Sequence, residues 1–542
     1  MPAASAPPIR VLLATHNVAG VFDDVEGSLM EWIDGLVRLV ALQRSDFVAL
    51  HMQEVGGTSW REPFALDCLP GVTAALEANF PAFWSSGMLM NLDVREGPSH
   101  ASTFTALGSI YLVRRQTALA RVSLWRWASD EGLAGEFEPL SGLDDPLQPE
   151  PGLPKRYCRH ARFPTSINLD KADWSRKGHM HTRWRLDGGT EVARTLDLVN
   201  IHNFHDECNI RAIQSAADFS SDPSSEGEAP PRLSPFAECR RRVLSLVTSQ
   251  LALLSEGVHP PPAAFLFGDF NTRLDLAAVV RLLCGSEGLS AACAIDPKEP
   301  PRALNTMHAG PSKGGAGPDE SLDDWALVPL PVSTLLLGKK RFALSEPRLL
   351  GRHLDKLRNF DRELTAFPAT LPDSAGENNS AAGAILYELP IGFVPSYVYR
   401  TAHSSGSPDS VAASSPLKAR PKRASFLASP APAPDPEVPA PASEAPAKAA
   451  AGWAAAGGAQ AGGGHGAPFA PALGEGAAPW RGEAWCDDVS EKRCPAWCDR
   501  VVMDTRAHAL VLASAEAAVY DSETQERIIT DHNRVFLSFT CG

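Results

Sequence analysis

Short apolar runs alternate with amphipathic segments along most of the chain, and this alternation is typical of strands interleaved with helices. Apolar residues recur at helical spacing from Leu29 to Leu42, which predicts an amphipathic helix. The apolar runs predict strands at Ile9–Ala14, Phe47–Met52, Thr195–Ile201, Ala263–Phe267, Val501–Met503 and Val535–Phe539. Elements in this order favour an α/β layered fold.

Four stretches interrupt the pattern. From about 402 to 480 the chain is almost wholly Ala, Pro, Ser and Gly, a composition that cannot bury enough apolar surface to offset the entropy lost on ordering. We therefore predict a disordered insertion there. Shorter loop insertions are predicted at about 220–234, 309–321 and 372–383. The remainder, 9–401 and 481–542, is expected to form the folded part.

The overall composition narrows the class of protein. Of 542 residues, 44% are hydrophobic and 21% are charged, as in an ordinary globular protein. No apolar run approaches the ~20 residues that a transmembrane segment needs. The formal net charge of -14 argues against a protein that coats nucleic acid, because such proteins need a basic surface.

The chain ends and the cysteines bear on location. Met1–Ile9 carries no basic stretch followed by apolar residues, so we expect no secretory signal. The ten cysteines show no zinc-binding spacing, which favours reduced thiols in the cytoplasm. The C-terminal Cys541-Gly542 is not a prenylation box. Peripheral contact with the plasma membrane stays an open alternative, and the sequence says nothing about oligomeric state.

Polar residues stand at the ends of the predicted strands, where rigid backbone can direct them into one cleft. These residues are Asn17, Glu54, His202, Asp269 and Asn271. Asp269 and Asn271, two positions apart, share a face if the chain stays extended. An acid beside an amide suits hydrolysis of an anionic ester, because the acid can orient water and the amide can donate to a phosphoryl oxygen. The alternative is an Asx turn at a strand end.

Two further kinds of residue fit a phosphate site. Asp531-His532 is a plausible active-site pair, although a single histidine is more often structural. Lys177 with Arg183, and Lys492-Arg493, could bind phosphates, although each cluster could also be a solvated surface. Carboxylates facing a phosphorylated substrate call for a divalent cation. Oxygen ligands such as Glu54, Asn17 and Asp531 suit Mg²⁺.

Two motifs carry a family resemblance. Gly268–Leu274 and Arg493–Val501 resemble the two signature motifs of the inositol polyphosphate 5-phosphatases, and the chain most resembles the type I branch of that family. The first motif is shared loosely with the wider DNase I-like superfamily. The second contains Pro-Ala-Trp-Cys-Asp-Arg and is long and specific to the family.

The resemblance implies a fold and a set of roles. The fold is a DNase I-like four-layer sandwich of α/β (α+β) class, with two packed β-sheets flanked by helices, in one catalytic domain over 9–401 and 481–542. Glu54 would ligate Mg²⁺ with Asn17 beside it, and Asp269 would activate water. Asn271 would hold that water or the phosphoryl oxygens. His202 would contact the reacting phosphate, oriented by Asp499, and Asp531 would pair with His532 on the phosphate. The implied substrate-binding residues are Lys177, Arg183, Tyr397, Lys492, Arg493 and Arg500.

Two departures from the family pattern bear on the function. Val398 stands where many lipid-cleaving members carry a lysine, which favours soluble substrates, and Asn533-Arg534 replaces the usual Lys-Pro. The implied activity is Mg²⁺-dependent removal of the 5-phosphate from inositol 1,4,5-trisphosphate and inositol 1,3,4,5-tetrakisphosphate, ending a calcium-mobilising signal in the cytoplasm. The alternatives are a phosphoinositide lipid 5-phosphatase, another DNase I-like phosphodiesterase or nuclease, and a non-enzymatic scaffold with a decayed site.

Overall fold

The computed structural model describes part of the chain. The described residues are 6–19, 21, 27–55, 69–90, 107–129, 133–143, 154–164, 167, 177–188, 193–217, 234–306, 333–364, 386–401, 484–523 and 529–542. They all belong to one compact unit, Met1–Ser405 with Gly482–Gly542. The predicted insertions at 402–480, 309–321 and 372–383 lie outside the described residues, as does 220–234 except for Ser234.

Seventeen strands and nine helices are numbered here in chain order within the described residues. The strands are β1 (Ile9–Asn17), β2 (Phe47–Gln53), β3 (Phe83–Ser85), β4 (Leu89–Met90), β5 (Gly108–Arg114), β6 (Val122–Trp127), β7 (Gly135–Pro139), β8 (Arg159–Arg162), β9 (Gly178–Leu186), β10 (Arg194–His202), β11 (Ala263–Asp269), β12 (Arg302–Asn305), β13 (Thr334–Gly338), β14 (Arg341–Leu344), β15 (Asp499–Met503), β16 (Val519–Glu523) and β17 (Arg534–Cys541). The helices are α1 (Ser28–Leu42), α2 (Leu69–Asn79), α3 (Pro154–Tyr157), α4 (Asn209–Ala217), α5 (Pro235–Leu254), α6 (Leu276–Cys293), α7 (Arg348–Arg352), α8 (Leu354–Asn359) and α9 (Thr505–Leu512).

Two seven-stranded sheets form the centre of the fold. One has the order β16-β17-β1-β2-β5-β3 with β4 on β5, and the other has the order β15-β11-β10-β9-β6-β7 with β8 on β9. Alternate residues of each sheet face the other sheet, so Val11 and Leu13 pack in one core with Phe265 and Phe267. This is the interface between the two sheets.

Helices cover the outer faces of both sheets. Leu12 and Leu50 of the first sheet pack against α1 through Trp32, and Val199 and Leu266 of the second pack against α5. The order helix, sheet, sheet, helix is that of the DNase I-like sandwich, and the predicted fold class is confirmed. The predicted strands and the predicted helix are confirmed too, each within a few residues of its expected bounds.

One described helix, α6, is long and apolar enough to cross a membrane by length and composition. Half of that stretch is buried inside the fold, and the chain bends at Gly285, where φ is 71°. Its buried side chains pack against α4 and the small sheet β12-β13-β14. In this fold α6 is a core helix.

Strand β9 was not predicted because its sequence, GHMHTRWRL, is rich in basic and polar residues. The structure accommodates them by pairing. Arg183 lies opposite Asp197 of β10 and donates two hydrogen bonds to its carboxylate, at 2.7 and 2.9 Å. A charge that is neutralised by the neighbouring strand can be buried, and hydropathy alone does not reveal it.

Candidate active site

The candidate site lies at one end of the two large sheets. β1 and β2 are parallel, with Asn17 opposite Gln53, and β10 and β11 are parallel, with His202 opposite Asp269. Parallel neighbours end at the same edge of a sheet, and the antiparallel neighbours β15 and β17 begin at that edge. The topology therefore brings Asn17 to Asp269, where the Asn17 Nδ2 donates to the Asp269 Oδ2 at 3.2 Å.

Asp269 is buried and accepts hydrogen bonds on both carboxylate oxygens. The Asn271 backbone N–H donates to Oδ1 at 2.8 Å, and the Asn271 side-chain amide donates to Oδ2 at 3.0 Å. Burial would raise the pKa of Asp269, but the hydrogen bond with His202 and the positive charges nearby outweigh it and hold the pKa well below its usual range. Asp269 is therefore an anion at neutral pH.

Asn271 acts on Asp269 in this structure. Its amide nitrogen donates to Asp269 and to the Asn203 carbonyl oxygen at 3.0 Å, so both amide hydrogens have protein acceptors. The predicted contact of Asn271 with water or a phosphoryl oxygen stays a prediction.

The backbone around these residues is constrained. A Cβ at position 268 would lie 2.0 Å from the Ile201 carbonyl oxygen, so only glycine lets β11 approach β10 this closely. Asn271 has φ 53°, which asparagine tolerates, and Glu54 has φ 56°, which is uncommon for glutamate. A residue with such a positive φ persists only where the surrounding structure restrains it, and such residues often lie in functional sites.

Glu54, Lys177 and His202 form one group beside Asp269. The His202 Nε2 lies 3.3 Å from the Asp269 Oδ2 and 3.7 Å from the Glu54 Oε1, and the Lys177 ammonium contacts the same nitrogen. Burial lowers the pKa of His202, and the charge of Lys177 lowers it further, so the ring is neutral. Burial would raise the pKa of Glu54, but Lys177 and His202 outweigh it and lower the pKa.

The prediction that Asp499 orients His202 is wrong. The Asp499 Oδ2 lies 2.7 Å from the Nδ1 of His532. Asp499 is the first residue of β15, and His532 lies just before β17. Burial would lower the pKa of His532, but the Asp499 carboxylate outweighs it and raises the pKa to about 9. Asp499 holds His532 as a cation, whereas His202 is held by Asp269, Glu54 and Lys177.

Asp531 and Tyr397 lie on the open side of His532. The Asp531 Oδ1 is 3.9 Å from the His532 Nε2, and the Tyr397 ring lies 4.5 Å from the His532 ring between centroids. Burial raises the pKa of Asp531, although His532 and Lys492 oppose the rise. Tyr397 exchanges backbone hydrogen bonds with Ala496 of the second motif, which places it at the rim of the cleft.

Two of the predicted substrate-binding arginines are structural. Arg183 is fully buried in β9 with Asp197, and its Nη2 also donates to the Leu254 carbonyl oxygen at 3.0 Å. Arg500 is buried and forms ion pairs with Glu388 and Asp361. Neither guanidinium is available to a phosphate, so the predictions for Arg183 and Arg500 are wrong. The sequence alone does not distinguish an arginine buried in an ion pair from an arginine that binds substrate.

Lys492 lies near Asp531, and Arg493 lies near Tyr397. Lys492 is exposed and near enough to Asp531 to affect its pKa. Arg493 is partly committed to the fold, because it donates to the Asn209 Oδ1 at 2.7 Å and to the Asp206 carbonyl oxygen at 2.9 Å. The roles predicted for both residues stay predictions.

Sequence reasoning missed Arg273, although it lies within the first motif. Its Nη2 donates to the Asn271 Oδ1 at 2.9 Å, and its guanidinium lies 4.5 Å from the centre of the Tyr397 ring. Arg273 therefore connects the residue that holds Asp269 with the rim of the cleft. The signal in the sequence was its position within the first motif, four residues after Asp269. In the structure the chain is buried from Asp269 through Leu274.

The residues present fit a divalent cation with oxygen ligands. The carboxylates of Glu54, Asp269 and Asp531 face the same cleft, and carboxylate oxygens are the ligands that Mg²⁺ prefers. The Asn17 Oδ1 accepts a hydrogen bond from the Ala19 N–H at 3.2 Å, which orients the amide. One ligand atom from each of Asp269, Asp499 and His532 also lies within 4.8 Å of the others. Asp269 is opposite Asp499 on the neighbouring strand, and Asp499 is bonded to His532.

Curated relatives align along the whole chain. Inositol polyphosphate-5-phosphatase A from Homo sapiens is 24% identical over 544 residues, which cover 99% of this chain and 94% of that protein. The resemblance to the inositol polyphosphate 5-phosphatases is confirmed. A probable type I inositol 1,4,5-trisphosphate 5-phosphatase from Caenorhabditis elegans is 27% identical over 269 residues, which cover 49% of this chain and 56% of that 5-phosphatase. No protein-family model matches the chain.

Solved structures also match the chain. The inositol polyphosphate 5-phosphatase domain of SPsynaptojanin, solved with inositol (1,4)-bisphosphate and a calcium ion, is 10% identical and has a TM-score of 0.33. The alignment covers 98% of this chain and 84% of that domain.

Proposed function

We propose that this chain is a phosphoric monoester hydrolase that removes the 5-phosphate from soluble inositol polyphosphates, with Mg²⁺ as its cofactor. The observation that carries the proposal is the meeting of the two motifs. Asp269 of the first motif lies directly opposite Asp499 of the second on neighbouring antiparallel strands, and each acid has its own histidine. The curated relatives that align along the whole chain are 5-phosphatases by name.

Asp269 is suited to orient the attacking water. Its low pKa keeps it ionised, so it accepts a hydrogen bond from water throughout the pH range of the reaction. As the water oxygen bonds to phosphorus the water becomes acidic, and its proton passes to the carboxylate. Asn17 and Asn271 fix the direction in which Asp269 faces.

His532 and Lys177 are suited to stabilise the phosphoryl group. His532 is a cation because Asp499 raises its pKa, and its Nε2 faces Asp531 at the open side of the cleft. Lys177 reaches the same cleft from the start of β9. Fixed positive charge near the phosphoryl oxygens favours the transition state, in which those oxygens carry the charge while the P–O bond to the ring breaks.

Glu54 would hold the Mg²⁺ ion, with Asn17 beside it. When bound, Mg²⁺ would neutralise charge on the phosphoryl oxygens and lower the cost of bringing a polyanion to a cleft lined by carboxylates. Lys177 limits the repulsion in this structure, since it lies 4.0 Å from the Glu54 Oε1.

We also propose that the enzyme prefers soluble substrates. The Val398 side chain is buried and carries no charge, so position 398 supplies no cation to a neighbouring phosphate. Lys492 and Arg493 are then the candidates for binding the other phosphates of inositol 1,4,5-trisphosphate or inositol 1,3,4,5-tetrakisphosphate. A cytoplasmic location belongs to the same proposal and is consistent with the free thiols of the described cysteines.

Phosphate release from inositol 1,4,5-trisphosphate, measured with Mg²⁺ and with EDTA, tests the activity. Asp269→Asn is the matched inactive control, because it keeps the shape of the side chain and removes its charge. A parallel series with phosphoinositides in vesicles, and with plasmid DNA, separates the soluble 5-phosphatase from the lipid phosphatase and the nuclease. Metal-independent release, or release that survives Asp269→Asn, would overturn the proposal.

A further inference from the structure

His532 lies in a short segment whose backbone is fixed on both sides. The Tyr399 N–H donates to the Asp531 carbonyl oxygen at 3.1 Å, and the Asn533 N–H donates to the Ser396 carbonyl oxygen at 2.7 Å. The carbonyl oxygen of His532 itself faces the other way, towards β1. There the Nε2 of His16 approaches it at 3.0 Å.

The His16 contact continues a strand pair beyond its last register position. β1 and β17 are paired from Ile9 and Cys541 to Thr15 and Val535, where the backbone register ends. One residue later the His16 side chain reaches across to the His532 carbonyl oxygen. The hydroxyl of Thr530 similarly donates to the Asn17 carbonyl oxygen at 2.9 Å. Side chains thus tie the segment before β17 to the end of β1.

The hydrogen bonds of His16 determine its tautomer. The indole Nε1 of Trp32 lies 2.8 Å from the His16 Nδ1, and an indole N–H can only donate. The Nδ1 must therefore be the acceptor, and the ring proton must be on Nε2. That proton is the one donated to the His532 carbonyl oxygen. Burial, with the charge of Arg534 adding to it, holds the pKa of His16 well below its ordinary value, so the ring stays neutral.

Arg534 in turn contacts both the backbone and the ring of Trp32. The Arg534 Nη2 donates to the Trp32 carbonyl oxygen at 3.1 Å, and the guanidinium lies 5.4 Å from the centre of the indole ring. Glu523 of β16 pairs with Arg534, and a Cβ at Gly35 would lie 3.0 Å from the Glu523 Oε1, so the absence of a side chain there leaves room for the pair. Arg534 is one of the residues that depart from the family pattern.

We propose that His16, with its tautomer fixed by Trp32, is a positioning residue that sets the backbone of His532 and hence the alignment of His532 with Asp499. This role of His16 rests on the proposed function, in which His532 acts on the phosphoryl group. The hydrogen-bonded unit itself, Trp32 to His16 to His532, does not depend on that function. Arg534 serves as its outer support.

Three variants separate the parts of this unit. His16→Leu removes both ring hydrogen bonds, His16→Gln keeps an N–H that can reach the His532 carbonyl oxygen, and Trp32→Phe removes only the N–H that fixes the tautomer. His51→Leu is the matched control. His51 is a fully buried histidine on the neighbouring strand whose ring nitrogens lie 3.2 Å from the Phe267 carbonyl oxygen and 3.1 Å from the Tyr111 hydroxyl, away from His532.

We expect His16→Leu to lower kcat by about 10- to 100-fold with KM changed by less than about threefold, because a small misplacement of a reacting group lowers the rate rather than ground-state binding. His16→Gln should recover part of kcat. His51→Leu should lower the unfolding temperature without this loss of kcat. Equal kcat in folded His16→Leu and wild type, or an equal loss in His51→Leu, would overturn the proposal.

Ring ¹⁵N NMR spectra make the test independent of activity. The wild type should show His16 as the Nε2–H tautomer, and Trp32→Phe, the mildest change, should alter both the His16 and the His532 ring signals. If the wild type fails to hydrolyse inositol polyphosphates, the proposed function fails, while these spectra still decide the structural unit. A His16 protonated on Nδ1, or His532 signals unchanged in Trp32→Phe, would overturn the inference even if His16→Leu fails to fold.

Discussion

Asp499 and His532 form a buried ion pair, with the carboxylate Oδ2 2.7 Å from the ring Nδ1, although 33 positions separate them in the chain. They meet because β15 and β17 both begin at the end of the sandwich where β11 and β1 finish. Directly opposite Asp499 lies Asp269, so two carboxylates share one buried region. The positive charge of His532 limits their repulsion.

Asp499→Asn should change the pH dependence of the activity. The Asn side chain can still accept from the His532 Nδ1, but the charge that raises the pKa of His532 to about 9 is lost while burial remains. The pKa should therefore fall to or below the ordinary value of about 6.5. Since the proposed role of His532 needs the protonated ring, kcat should decline at a lower pH than in the wild type.

Profiles of kcat against pH, at saturating Mg²⁺, test this change. Asp504→Asn is the control, because Asp504 caps α9 by accepting from the Ala507 N–H at 2.7 Å and an asparagine can do the same. Its profile should match the wild type. An Asp499→Asn profile that declines at the wild-type pH would show that His532 does not act as the cation.

Lys177 and Arg183, both predicted to grip phosphates, should behave differently when substituted. Lys177→Met should leave the unfolding temperature nearly unchanged and reduce kcat/KM, because Lys177 faces the cleft beside Glu54 and His202. Arg183→Met leaves Asp197 buried without its main partner, and loss of one member of a buried pair costs about 3–5 kcal/mol.

Thermal unfolding and steady-state kinetics on the same preparations separate these two effects. Lys177→Arg, which keeps the charge, is the conservative comparison at the cleft. If Arg183→Met is as stable as the wild type but has a raised KM, Arg183 binds substrate after all and its assignment to the core is wrong.

Arg273→Lys should reduce kcat through Asn271. The lysine keeps a positive charge but cannot donate to the Asn271 Oδ1 while stacking on the Tyr397 ring as the planar guanidinium does. Asn271 would lose a restraint, and Asp269 would lose the fixed direction of its partner. We expect kcat to fall by about tenfold and KM to change little. Arg281→Lys, on α6, is a suitable control for the same chemical change.

The sequence predicted the strands that build this site better than it predicted the partners within it. Apolar runs ending in Asn17, His202 and Asp269 identified strand ends, and two parallel pairs of strands bring those ends together. That Asp499 pairs with His532 and not with His202 depends on how the two sheets are stacked, and no local pattern records that. Arg183 and Arg500 looked like phosphate ligands because a buried ion pair and a substrate contact use the same residue type.

Glu54→Gln should weaken the binding of Mg²⁺ to the enzyme. A neutral amide is a poorer ligand for Mg²⁺ than a carboxylate, so the Mg²⁺ concentration that gives half-maximal activity should rise. The same change removes the negative charge beside Lys177 and His202, whose distances to the Glu54 Oε1 are 4.0 and 3.7 Å. Substrate binding without metal should therefore strengthen, since the charges of the cations would no longer be partly neutralised by Glu54.

Activity measured across a Mg²⁺ titration, and binding of inositol 1,4,5-trisphosphate measured in EDTA, give the two quantities separately. Glu388→Gln, at a partly buried carboxylate that pairs with Arg500, serves as the control and should leave the Mg²⁺ titration unchanged. An unchanged half-maximal Mg²⁺ concentration in Glu54→Gln would remove Glu54 from the metal site.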